Sequence, residues 1–138
     1  MTRAAFLGTP ASALPSLISL MDVAEIGVVI TRSDRPRGRS DRPKAPPIKE
    51  SALDLGLEVA QPDSPGELAA SLARFGPFDV GVVVAFGMIL PGSLLAYPRM
   101  GFVNVHFSLL PRWRGAAPVQ RAILAGDDTT GGTLMKIE

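Results

Sequence analysis

Asp79-Val-Gly-Val-Val-Val-Ala-Phe86, closed by Gly87, reads as the central strand of a sheet. Upstream, Gly27-Val-Val-Ile-Thr31 is β-branched and apolar on both faces, as a buried parallel strand requires. Downstream, Phe102-Val-Asn-Val-His106 is a further strand. Helical spacing fills the gaps between these strands. Leu14, Leu17, Ile18 and Met21 recur at helical intervals, and Ile48–Leu55 ends at Gly56, a C-cap glycine. Further helices are predicted over Glu67–Phe75, briefly after Pro91, and over Pro118–Ala125, where Gly126 stops the run. Arg3–Leu7 and Leu57–Ala60 complete the predicted strands, and Thr133–Glu138 reads as a strand under way.

Strands alternating with helices mean βαβ units with right-handed crossovers. The expected fold class is therefore α/β, a Rossmann-like, doubly wound and mainly parallel sheet, incomplete at its C-terminal end. Its 138 residues suffice for one domain with a substantial core but not for two. A hydrophobic fraction of 46% against 20% charged residues argues against wholesale disorder. The absence of cysteine excludes disulfides and Cys-ligated zinc and is compatible with a reducing cytoplasm. No uninterrupted apolar run has the length of a membrane span. Arg3 ahead of apolar residues superficially resembles a signal peptide, but Pro10 and Pro15 interrupt the run, and strand–turn–helix accounts for it better.

Gly8-Thr9-Pro10 occupies the first βα turn without the G-x-G-x-x-G pattern, so dinucleotide binding has little support. Its residues read as a turn glycine, a Thr N-cap and Pro at the first helical position.

Net charge is only +1, but its distribution is uneven. Arg32, Arg35, Arg37, Arg39, Arg42 and Lys44 fall within thirteen positions, opposed only by Asp34 and Asp41. All but Arg32 belong to Ser33–Pro47, a proline-rich stretch without apolar periodicity, read as a long exposed loop. Among these six residues arginine outnumbers lysine five to one, which favours phosphate, because guanidinium grips it through two parallel hydrogen bonds.

His106 is the only histidine and follows Asn104 by two residues. On a strand, residues i and i+2 share a face, so an amide donor and a titratable base point the same way at a strand's carboxyl end. The segment beyond holds Ser108, Pro111, Arg112, Arg114 and Arg121. This pairing suits acyl transfer. A metal is not expected, since one His without Cys falls short of a usual ligand set.

At this point the residues match a family. Phe6-Leu-Gly-Thr-Pro10, Asp34-Arg-Pro-Arg-Gly-Arg39, Val84-Ala-Phe-Gly-Met-Ile-Leu-Pro91, Asn104-Val-His106 and Ser108-Leu-Leu-Pro111 resemble the methionyl-tRNA formyltransferases. Arg112-Trp-Arg-Gly-Ala-Ala-Pro-Val-Gln-Arg-Ala-Ile123 points to the tRNA-acting branch of the folate-dependent formyltransferases. The resemblance implies transfer of a formyl group from 10-formyltetrahydrofolate to the amino group of initiator methionyl-tRNA, a step of translation initiation, by a cytoplasmic monomer without metal. It implies Asn104 as oxyanion donor and His106 as proton carrier. The pterin would be held by Phe86, Gly87, Met88 and Ile89 together with Ser108, Leu109, Leu110 and Pro111. Arg35, Arg37, Arg39, Arg42 and Lys44 would meet the tRNA.

The chain departs from the pattern at Phe107 (usually small or proline), Phe86 (commonly Tyr), Ser40-Asp41 (usually more basic) and Gly132 (usually Val, and a weak choice within a strand). The family's catalytic Asp, in a Gly-Leu-Asp motif, would begin beyond Glu138, and the resemblance implies a separate C-terminal tRNA-binding domain. Residues 1–138 are therefore expected to be a partial formyltransferase domain, inactive or weak alone. The alternatives are a folate-dependent formyltransferase acting on another amine, such as a sugar-nucleotide, and a non-catalytic folate- or RNA-binding module.

Overall fold

The structure, a computed structural model, describes all residues except Arg37 and Ser40. Strand β1 (Thr2–Gly8) leads through a 3-10 turn at Ala11–Ala13 into α1 (Leu14–Met21), then β2 (Ala24–Ile30). A small hairpin of β3 (Arg35–Pro36) and β4 (Pro43–Lys44) precedes α2 (Pro47–Asp54) and β5 (Val59–Ala60). The chain continues through α3 (Pro65–Phe75), β6 (Val80–Val84), a 3-10 turn at Gly92–Leu94, β7 (Phe102–His106), α4 (Pro118–Leu124) and β8 (Thr133–Lys136). The main sheet has the order β5-β2-β1-β6-β7-β8, parallel throughout except for the antiparallel β7–β8 pair.

Strand alternation divides the core in two. Ala5, Leu7, Val28, Ile30 and Val83 face α3 residues Leu68 and Leu72, with Phe78, Phe86, Leu94 and Phe102. Phe6, Val29, Val82 and Val84 face Ala13, Leu17, Ile48 and Ala52, the side of α1 and α2. Both sheet faces are thus covered, which explains strands without polar alternation. Each fully buried Leu, Ile or Phe contributes roughly 1.5–3 kcal/mol relative to exposure.

Several local expectations are corrected. The basic stretch is not wholly irregular, since it forms the β3–β4 hairpin, with Arg35 opposite Lys44. The central strand stops at Val84, because Ala85 adopts a left-handed backbone (φ 51°) that ends the ladder. The element after Pro91 is a single 3-10 turn. Thr9 does not cap a helix: Pro10 occupies that position, no side chain caps the turn, and the Thr9 hydroxyl instead donates to the Phe86 carbonyl at 2.7 Å. Gly132 precedes β8, so it costs the strand nothing. The C-cap reading of Gly56 fits its φ of +73° and the Leu57 N–H bond to the Ala52 carbonyl at 2.9 Å.

Candidate active site

In a doubly wound sheet, ligands bind beyond the carboxyl ends of strands where the strand order reverses. Here that point lies between β1, which leads outward to β2 and β5, and β6, which leads the other way to β7. A Cβ at Gly8 would lie 2.9 Å from the Val84 carbonyl oxygen, so only glycine lets the two strand ends approach so closely. The Thr9–Phe86 hydrogen bond ties them just beyond.

Three hollows adjoin this rim. The first, of about 570 Å³, is lined by Thr9, Arg32, Ser33, Arg35, Lys44 and residues 85–87, among others. The second, of about 640 Å³, takes in Val83, residues 85–89, Asn104–Phe107 and Gly115–Pro118. The third, of about 680 Å³, is bounded by Asn104, His106, Leu110, Pro111, Arg114, Gly115 and Met135. Residues 85–87 are common to the first two; Asn104, His106 and Gly115 are common to the last two.

Asn104 and His106 owe their common orientation to β7. In the ladder Asn104 lies opposite Val83 and Met135, and His106 opposite Thr133. Neighbours Val103, Val105 and Phe107 pack toward the α1/α2 core, as alternation demands, although Val105 and Phe107 also edge the second hollow. His106 is half-buried, with Nε2 2.8 Å from the Trp113 carbonyl oxygen. A carbonyl only accepts, so Nε2 carries the proton, and in the neutral ring Nδ1 is the acceptor.

Phe86, Gly87, Met88 and Ile89 all line the second hollow; Phe86 is buried and Ile89 is 90% exposed. They lie past the end of β6, outside the sheet ladder. Two side chains hold this segment by its carbonyls: Thr9 at Phe86, and Arg32, whose Nη1 donates to the Gly87 carbonyl at 2.6 Å. Leu110 and Pro111 line the third hollow, whereas Ser108 is buried and, like Leu109, lines neither of the two hollows that Asn104 and His106 share. The Ser108 hydroxyl donates to the Arg112 carbonyl at 2.7 Å. Thr133 holds the same segment, donating to the Ser108 carbonyl at 2.7 Å and accepting from the Leu110 N–H at 3.2 Å.

Of the basic residues, Arg35 and Lys44 line the first hollow, while Arg39 and Arg42 are exposed and line none of the three. Arg37 lies outside the described residues. Thr9, Arg32, Trp113 and Thr133 were not singled out from sequence as site residues. Thr9 had a local signal in its place in the first βα turn, Arg32 in the cluster of cations and Trp113 in the Arg112–Ile123 motif, whereas Thr133 had none. Among the described residues no group of three or more His, Asp or Glu is gathered as a metal cluster, and no helix is long and apolar enough to cross a membrane.

Arranged this way, the rim offers an amide donor and a base facing one space, an apolar wall beside them and cations at the far end. That is a setting for acyl transfer to an amine carried by an anionic molecule.

Comparison with known proteins agrees. The chain is 51% identical to methionyl-tRNA formyltransferase of Frankia casuarinae over 140 residues, covering 99% of this chain and 41% of that protein. It is 50% identical to methionyl-tRNA formyltransferase of Mycobacterium avium, with 99% and 44% covered. The chain thus spans less than half the length of these relatives. Among solved structures, glycinamide ribonucleotide transformylase 1 from Symbiobacterium toebii superposes with a TM-score of 0.76 at 22% identity, over 100% of this chain and 66% of that one. Phosphoribosylglycinamide formyltransferase from Brucella melitensis gives 0.71 at 25% identity, over 98% and 72%. The formyl transferase family profile matches residues 10–138, and the chain belongs to the formyl transferase family.

Proposed function

We propose that residues 1–138 form part of the catalytic domain of a cytoplasmic, monomeric methionyl-tRNA formyltransferase. It would move a formyl group from 10-formyltetrahydrofolate to the amino group of initiator methionyl-tRNA. The observation that carries this reading is the shared exposure of Asn104 and His106 to two hollows joined along β7. The roughly 50% identity to enzymes of that name supports it.

The second hollow suits the folate. Its volume falls within the range of about 300–1,000 Å³ typical of ligand pockets. Phe86, Met88 and Ile89 offer an apolar wall for a flat heteroaromatic ring, with Asn104 and His106 as polar groups beside it. The donor supplies the one-carbon unit at formyl oxidation level.

The reaction exchanges one C–N bond for another. As the amine attacks, negative charge grows on the formyl oxygen and a surplus proton sits on the attacking nitrogen. The Asn104 amide N–H stabilises the oxygen, a contribution of roughly 3–4 kcal/mol for one oriented donor. His106 accepts the amine's proton at Nδ1 and returns it to the departing nitrogen, worth roughly 10²–10⁴ in rate. Across the rim, Arg35 and Lys44 stand directly opposite each other in β3–β4. Like charges so paired repel, and a phosphate between them relieves the repulsion. This supports an entry for the tRNA acceptor end.

The test is a competition assay in which charged initiator tRNA and amino-sugar nucleotides are offered together with 10-formyltetrahydrofolate. In the full-length protein that this reading implies, formyl transfer to the tRNA is expected, and His106→Ala should lower turnover roughly 10²–10⁴-fold with little change in folate affinity. Transfer to the sugar nucleotide would reassign the acceptor. Folate binding by calorimetry without any turnover in that full-length protein would make it a binding module.

A further inference from the structure

Beyond the hollows, Asp127 follows the glycine that ends α4. Gly126 takes φ +73°, and the Asp127 N–H bonds the Ala122 carbonyl at 3.0 Å, a left-handed cap that turns the chain back. The Asp127 side chain is only 14% exposed and accepts three hydrogen bonds. Two come from Arg112, Nε at 2.8 Å and Nη2 at 2.6 Å, and one from Trp113 Nε1 at 2.7 Å. The Arg112 guanidinium also lies over the Trp113 ring, 4.4 Å from its centroid.

Trp113 has φ +57°, a conformation a bulky residue adopts only when its surroundings hold it. Its side chain ends on Asp127, and its carbonyl ends on His106 Nε2. One strained residue therefore links a carboxylate to the imidazole. An ordinary surface ion pair would need neither the indole bond nor the left-handed backbone.

We propose that Asp127 is a positioning residue for His106. By anchoring Trp113 through its indole and the Arg112 guanidinium stacked on it, Asp127 aims the Trp113 carbonyl at Nε2. This selects the tautomer whose Nδ1 is free to take a proton. The carboxylate touches no reacting atom and acts only through Trp113. Its kinetic consequence rests on the formyl-transfer reading; its effect on the ring does not.

Because His106 is the chain's only histidine, its imidazole nitrogens give unambiguous NMR signals in ¹⁵N-labelled protein. The neutral wild-type ring is expected to be mainly Nε2–H. In Asp127→Ala the Nε2–H to Nδ1–H ratio should fall by roughly fivefold, the order expected for losing one net hydrogen bond. Trp113→Phe, which removes the indole donor and keeps the carbonyl, should move the ratio the same way by a smaller factor. In formyl transfer by the full-length protein, Asp127→Ala should lower kcat by up to about fivefold, in step with the tautomer ratio, and leave the KM for the folate donor nearly unchanged.

A wild-type ring that is mainly Nδ1–H overturns the proposal without any variant. An unchanged ratio in folded Asp127→Ala overturns it as well. A shifted ratio here, together with a full-length protein that formylates no amine, leaves the clamp standing and removes the functional reading beneath it.

Discussion

Three carboxylates are held below the usual range by groups that donate to them. Asp127 is lowered to about 2, chiefly by Arg112 and then by the Trp113 indole. Asp34 is lowered by Gln61 and then Lys49, and Asp79 by the Arg3 backbone N–H and then the Arg99 side chain. Each of these values is depressed in the folded state. The stabilisation is therefore complete above the ordinary carboxylate value of 3.8 and is lost as pH falls through the folded value. Trp113, the only tryptophan, reports the Asp127 share directly. Its emission should stay constant from neutrality to about pH 4 and change with a midpoint near 2. Asp127→Asn should show the altered emission already at neutral pH and no such step. Identical titrations of the two proteins would separate Asp127 from Trp113. At this scale Asn104 and His106 were legible because i, i+2 alternation is local. Asp127 was not, since its contacts with Arg112 and Trp113 span about fifteen residues and depend on the turn after α4.

The elements that carry the site lean on one close contact. A Cβ at Gly81 in β6 would fall 2.2 Å from the Phe102 ring atoms Cδ1 and Cε1, and Phe102 is a fully buried residue opening β7. Gly81→Ala therefore forces either the ring or β7 to move, with Asn104 two residues further along that strand. Overpacking of this kind costs about 1–3 kcal/mol, measurable as a lower urea midpoint at unchanged slope. A variant as stable as wild type would mean that the Phe102 ring yields freely and the β6–β7 fit is loose. The strands were legible because burial on both faces leaves continuous β-branched runs. Their ends were less so. Ala85 breaks the β6 ladder through a left-handed backbone that alanine does not advertise. The β3–β4 pair contains a proline in each two-residue strand, and proline is a signal against strand. Helix α3 begins at Pro65, two residues before the expected Glu67, because Ser64 caps it by accepting the Glu67 N–H at 3.1 Å.

Across the whole molecule, the strand order turns local sequence signals into a single rim. The basic stretch follows β2 and the Asn–His pair ends β7, yet β1 and β6 between them bring both to the same sheet end. Residues 85–87 form the wall between the hollow that Arg35 and Lys44 line and the one Asn104 and His106 line. Sequence supplied the α/β class and the two chemistries, while their adjacency depended on the crossover from β5 to β6, which no motif encodes. The charge is correspondingly polarised, with cations clustered on one excursion of a nearly neutral chain. Arg39 stands exposed on that excursion and does not line the first hollow. If the excursion meets the tRNA acceptor end, as the proposed function has it, Arg39→Ala removes one screenable phosphate contact and leaves folate binding untouched. The slope of log affinity against log salt should then flatten by about 0.7–0.9, and the variant's deficit should be largest near 50 mM salt and shrink as salt rises. Equal tRNA affinities for both proteins at low salt would assign Arg39 to the solvated surface.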